Sequence, residues 1–145
     1  MRWNKSRSFW VVCLILFFSG CQLSAKENSP YIISGEMLIE ESKDYEIAGL
    51  DLYVYNKLEK NISSFTVVFF LFDSEGNAPE GGKNVVVLTV TTEIEGKNSL
   101  KACINLDKYM REIPEEPYQI DYIYLSKIVY DDGTEWNDPL GFQLY

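Results

Sequence analysis

The chain has 145 residues, with 22 acidic against 13 basic side chains, a formal net charge of −9 and no histidine. Without histidine there is no Ser–His or Cys–His nucleophile pair and no histidine-ligated metal. The acidic balance works against nucleic acid and anionic headgroups.

Residues 1–8 carry Arg2, Lys5 and Arg7 and no acidic side chain, and residues 9–18 are bulky and apolar apart from Cys13. A basic start, an apolar run of about ten residues and then small residues make a secretory signal over 1–20. The run is well short of the roughly 20 apolar residues a spanning helix needs. Phe18-Ser19-Gly20-Cys21 resembles the lipobox of bacterial lipoproteins. Phe18 stands where an aliphatic residue is usual, as in the relaxed lipoboxes of spirochaetal lipoproteins. The departure leaves ordinary cleavage and an uncleaved anchor as the competing outcomes. The resemblance implies acylation of Cys21, which becomes the first residue of the mature chain. It also implies a cell-envelope location, with Gln22 rather than Asp after the cysteine favouring the outer membrane. Lipid contributes about 0.8 kcal/mol per buried CH₂, so more than one acyl chain makes a firm anchor. Residues 22–30, QLSAKENSP, are small and polar and complete a tether over 21–30. Nine extended residues reach about 30 Å at most.

The remaining segment, 31–145, suits one domain. Loss of the three leader cations leaves ten basic against 22 acidic residues, a net charge of −12, which favours solubility and cationic partners. Cys103 is then the one cysteine besides Cys21, so no intrachain disulfide is expected, and a lone cysteine reads as a small buried residue.

Short β-rich runs follow one another between turn signals, the pattern of an antiparallel sandwich. Strands are expected at 31–39 and at 45–56, where Ala48, Leu50, Leu52 and Val54 alternate with polar or tyrosine positions. A third strand, 64–73, closes in the turn 73–77, with Gly76 suited to positive φ. After a loop at 78–83, residues 84–92 are β-branched almost throughout and read as a strand. The turn 95–98 leads to a strand over 99–106, with Leu100, Ala102, Ile104 and Leu106 on one face and Cys103 on the other. Residues 107–113 are the one helical candidate, before the acidic link 114–117. The longest strand is 118–130, ended by the hairpin-type turn Asp131-Asp132-Gly133. A short return over 134–136 precedes a partly apolar tail, 137–145, that docks as a last strand or a strap.

The segment 54–77, VYNKLEKNISSFTVVFFLFDSEGN, resembles small bacterial immunoglobulin-like sandwich lipoproteins, including the FxLYD and telomeric-repeat-factor-like extracellular types. The likeness runs through Asn56, Ile62, Phe65, Val67, Phe69, Phe72, Asp73 and Gly76. It continues through IEGKNSLKACINL and through Ile128, Tyr130, Asp132, Gly133 and Trp136 of the closing hairpin, covering roughly 48–136. It implies an all-β, immunoglobulin-like antiparallel β-sandwich of about seven strands with one short helix, and a binding or envelope-maintenance role.

No catalytic residue, cofactor or metal site is expected. Asp73, Glu75 and Asn77 alternate as Ca²⁺ ligands sometimes do, and Asp131, Asp132, Glu135 and Asp138 form a second acidic group, but neither completes a Ca²⁺ loop. Solvated turn carboxylates are the simpler reading. The aromatic residues say more. In the third strand Phe65, Val67, Phe69 and Leu71 occupy one face and Val68, Phe70 and Phe72 the other. In 118–130 strict alternation puts Tyr118, Ile120, Tyr122, Tyr124, Ile128 and Tyr130 together, opposite Ile123, Leu125 and Val129. A sandwich strand needs one apolar face, so the second is either covered or a contact surface. Tyr118, Tyr122, Tyr124, Phe70 and Phe72 are therefore the candidate binding residues for a protein, peptide or glycan, and Tyr53 and Tyr55 join them if their strand pairs nearby. The expected function is a membrane-anchored, non-catalytic interaction module. The alternative is a passive structural or envelope-maintenance subunit with its aromatics covered.

Overall fold

The computed structural model describes residues 29–39, 42–78, 84–110 and 118–144. The signal, Cys21 and most of the tether lie outside them, as do 79–83 and 111–117. Pro30–Phe142 forms one compact unit, and its architecture is all-β. Seven strands are present among the described residues: β1 (Tyr31–Leu38), β2 (Gly49–Asn56), β3 (Ile62–Phe72), β4 (Val85–Ile94), β5 (Ser99–Asn105), β6 (Gln119–Tyr130) and β7 (Glu135–Asn137). They make a three-stranded sheet in the order β1-β2-β5 and a four-stranded sheet in the order β4-β3-β6-β7, antiparallel throughout. An immunoglobulin constant domain places its first, second, fifth and fourth strands in one sheet. Here the fourth strand pairs with the third instead.

The core lies between the sheets. Leu50, Leu52 and Val54 of β2 face Phe65, Val67, Phe69 and Leu71 of β3, all fully buried. Leu100, Ala102 and Ile104 of β5 stand opposite Val54, Leu52 and Leu50, as their alternation predicts. Close approach of the sheets is set partly at Gly35, where a Cβ would lie 2.8 Å from Ile123 Cδ1. Buried Tyr31 crosses the sandwich: its hydroxyl accepts the Leu125 N–H at 2.9 Å and its ring meets Trp136 edge-on at 5.6 Å. Gly76 and Gly133 take positive φ in their turns.

Three expectations need correction. The second strand begins at Gly49 rather than at 45, because the N–H groups of Glu46, Ile47 and Ala48 donate to the Asp107 carboxylate instead of to a strand. Of the helical candidate 107–113, the described part is one 3-10 turn, Asp107–Tyr109, after which Met110 is extended, and 111–113 lie outside the described residues. The face assignment of β6 fails because bulges interrupt its period. Thr66 pairs with Lys127 while Val67 pairs with Leu125, which leaves Ser126 as an extra residue, and a further shift falls between Val68 and Phe70. Each extra residue reverses which side the following side chains take. Ile128 and Tyr130 consequently point into the core with Leu125, while Tyr124 stands beside Val68 and Val129 beside Ser64, on the outer face.

Candidate functional site

The outer face of the four-stranded sheet is where the candidate aromatics meet. Phe70 and Phe72 are half-buried on β3, flanked on β4 by Val85, which pairs with Phe70, and by Val87, which pairs with Val68. On the other side the β6 bulge raises Tyr122, whose φ of 52° is left-handed, a conformation that costs a side-chain-bearing residue roughly 1–2 kcal/mol. Its ring lies 6.2 Å from Phe70 and 5.3 Å from Tyr124. Phe70, Tyr122 and Tyr124 thus form one aromatic cluster. Among the described residues neither Phe72 nor Tyr118 joins it by ring contact, and Tyr118 stands half-buried just before β6.

The cluster has a cover. After β7, residues 138–142 turn back along β6 as a strap. The Asp138 N–H donates to the Ser126 carbonyl at 2.9 Å. The Tyr124 hydroxyl donates to the Pro139 carbonyl at 3.1 Å, and the Tyr122 hydroxyl to the Gly141 carbonyl at 2.7 Å. Asp138, itself buried, accepts the Phe142 N–H at 3.1 Å. Gly141 sits on the two rings with φ +70°, and a Cβ there would lie 2.8 Å from Tyr122 Oη and 2.9 Å from Tyr124 Cγ. Tyr124 is left only 6% exposed. Burial, and then the charge of Asp138, push its phenol above the ordinary range.

Four large apolar side chains on this face and on the strap are exposed. Val85 is 41% exposed, Val87 55%, Leu140 60% and Phe142 73%. None of these four is among the candidate binding residues, and Leu140 and Phe142 belong to the apolar tail that the sequence leads one to expect as a last strand or strap. The alternation of Val85 and Val87 with buried Val86 and Leu88 is visible in the chain. The outward turn of Leu140 and Phe142 is not, since it follows from the backbone of Gly141. Tyr53 and Tyr55 do not join the site: β2 pairs with β1 and β5, so they lie on the outer face of the other sheet. There Ser34, Gly35, Glu36, Asp51, Tyr53 and Lys101 line an open hollow of about 400 Å³.

The remaining candidates resolve into local structure. Cys103 is exposed rather than buried, on the outward side of β5 opposite Asp51 of β2. Partial burial, with Asp44 and Asp51, pushes its thiol up, away from the reactive thiolate. Asp73 accepts the N–H groups of Glu75 and Asn77 and the Asn77 amide, which hold its carboxyl below the usual range. Asp132 binds Lys60 and Thr134, Glu135 pairs with Lys127 at 2.7 Å, and Asp138 serves the strap. No group of three or more Asp, Glu, Cys or His among the described residues is placed to hold a metal ion.

Comparison with protein-family models, with characterised proteins and with solved structures gives no match.

Proposed function

We propose that the chain is an exported protein held to the outer membrane by lipid on Cys21, an immunoglobulin-like lipoprotein whose sandwich is a non-catalytic interaction module. Its contact surface is the outer face of the four-stranded sheet. The observation that carries this reading is the exposure of Val85, Val87, Leu140 and Phe142 around the Phe70–Tyr122–Tyr124 cluster. Exposed apolar side chains gathered on one face are what a contact surface offers. The left-handed Tyr122 adds to it, since backbone strain is retained where it aims a side chain. The net charge of −12 left without the three leader cations makes a protein or peptide a better partner for that face than an anionic surface.

Two measurements test it. Cys21→Ser is expected to move the chain from the membrane to the soluble fraction. A variant that stays membrane-bound refutes the lipid anchor. Val87→Asp with Phe142→Ser is expected to abolish crosslinking to envelope partners while leaving the melting temperature within a few degrees. Unchanged crosslinking refutes the contact surface. The second reading, a passive structural subunit, draws on the burial of Tyr124 beneath the strap. It predicts no partner that depends on this face.

A further inference from the structure

Both sheets are open, so four strands lie at an edge: β1 and β5 in one sheet, β4 and β7 in the other. An edge strand presents a row of unpaired N–H and C=O groups, and proteins guard such edges with charge, brevity, proline or a bulge. Three of the four are guarded in this way. β1 carries Glu36 and β5 carries Lys101, and β7 has three residues, one of them Glu135. β4 runs ten residues, and from Val85 to Thr92 it holds no charge, proline or glycine. Its ladder with β3 is regular from Val85 to Thr91 and shifts only beyond, before the Ile62–Ile94 pair.

The phase of that ladder fixes which groups are open. The Leu71 N–H donates to the Asn84 carbonyl at 2.8 Å, in continuation of the β3–β4 register. Bonded and non-bonded pairs alternate along an antiparallel ladder. Val86, Leu88 and Val90 therefore exchange bonds with Phe69, Val67 and Phe65, while the N–H and C=O groups of Val85, Val87, Thr89 and Thr91 point away from β3. Among the described residues one group meets them: the Tyr109 hydroxyl donates to the Val87 carbonyl at 3.3 Å, in an exposed position. The side chains of the same four residues are exposed on the outer face of the sheet.

We infer that β4 pairs edge to edge with β4 of a second copy of this chain, antiparallel about a two-fold axis at Leu88. In that register Val85 lies opposite Thr91 of the second copy and Val87 opposite Thr89, so every open donor of one strand meets an open acceptor of the other. The side chains match as well. Outside, valine stands beside threonine. Inside, Val86 stands beside Val90 and Leu88 beside its own counterpart, and β-branched and aliphatic pairs of this kind suit a sheet. Charge selects both the occupant and the edge. Each copy carries −12 outside its leader, so two copies repel unless they meet where no carboxylate opposes another. The uncharged run from Val85 to Thr92 is such a place. The Tyr109 hydroxyl, on a single long bond, gives up the Val87 carbonyl to the incoming Thr89 N–H. The contact is isologous and uses the β4 edge of both copies, so assembly closes at two. It joins the two four-stranded sheets into one, with Val85 and Val87 of both copies on a shared outer face.

The test is sedimentation velocity of the full chain in detergent, over a concentration series, with reductant present because exposed Cys103 could otherwise bridge two copies. The wild-type chain is expected to pass from monomer to dimer. Thr89→Pro removes an N–H that β3 does not use and sets a ring against the incoming strand, and it is expected to stay monomeric. Thr89→Lys supplies the guarding charge that the edge lacks and is expected to weaken the dimer about tenfold or more. Should Thr89→Pro not fold, Thr89→Lys and amide hydrogen exchange on the wild-type chain decide. The Val87, Thr89 and Thr91 amides are expected to exchange about 100-fold more slowly in the dimer, with the Cys103 amide of the β5 edge unchanged. A wild-type chain that stays monomeric throughout overturns the pairing, as does an open-ended series of larger species. A dimer that survives both Thr89 variants and is lost in Phe142→Ser sets the copies face to face and overturns it too. The pairing and the interaction module fail separately. A monomer whose envelope crosslinks still respond to Val87→Asp with Phe142→Ser leaves the module standing, and a Thr89-sensitive dimer without such crosslinks leaves the pairing standing.

Discussion

Asn56 is one of two polar side chains buried among the described residues, and it ties three segments together. Its amide donates to the Lys60 carbonyl at 2.7 Å and reaches those of Ile94 and Glu95 at 3.4 and 3.3 Å. Its oxygen accepts the Leu58 N–H at 3.1 Å. Removing one partner of a buried hydrogen bond costs more than the bond is worth, because the other partner is left dry. Asn56→Ala is therefore expected to lower unfolding stability by about 2–3 kcal/mol in urea titrations, and Asn56→Asp, which loses the donors, by at least as much. Asp107 acts comparably at the surface. Its carboxylate accepts three consecutive backbone N–H groups and the Asn105 amide, which lowers its pKa from 3.8 to about 2. A lowered folded-state value means a contribution fully present above pH 4 and lost as the pH falls from about 4 through about 2. Melting temperatures taken between pH 6 and pH 2 are expected to fall over that window, and less steeply in Asp107→Asn. An identical acid limb in the variant contradicts this account.

At the scale of elements, alternation in the chain found the strands because period two survives wherever one face is buried. β5 kept that period from Ser99 to Asn105, and its inward and outward residues fall where alternation puts them. β6 did not, since a bulge has no residue signature of its own: Ser126 is ordinary in sequence, and the two-against-one pairing across Thr66 and Val67 exists only with β3 in place. The candidate aromatics were legible as a surplus of apolar side chains on β3 and β6, yet only Phe70, Tyr122 and Tyr124 share a cluster, and Tyr130, expected with them, faces the core. That the apolar tail would dock as a strap was legible, whereas its fastening to Tyr124 was not, because that rests on a hydroxyl-to-carbonyl bond between segments 15 residues apart. Tyr31 at the β6 bulge gives the test. Its hydroxyl is the acceptor for the Leu125 N–H in a buried setting. Tyr31→Phe, which keeps the ring, is expected to cost about 1–3 kcal/mol through the stranded N–H. A change below about 0.5 kcal/mol means that the bulged amide finds another partner.

For Pro30–Phe142 as a whole, the pairing pattern governs how folding proceeds. β2 must find β5 and β3 must find β6, so each sheet is completed across long stretches of intervening chain. The entropy of closing those loops precedes the contacts that reward it. Refolding followed by tyrosine fluorescence after denaturant dilution is expected to take milliseconds to seconds, and a microsecond phase carrying the full amplitude contradicts that topology-limited picture.

The eight rungs that join β1 to β2, from Tyr31 opposite Asn56 to Leu38 opposite Gly49, have a mechanical meaning. A traction applied at Pro30 along the chain draws β1 parallel to its own axis, past β2. In that geometry the ladder resists in shear, with its hydrogen bonds strained together, rather than peeling from one end. Tyr31 adds a transverse pin into β6 at the point where the force enters. Tension entering at Pro30 therefore meets the full β1–β2 ladder and the Tyr31 pin before it reaches the other strands.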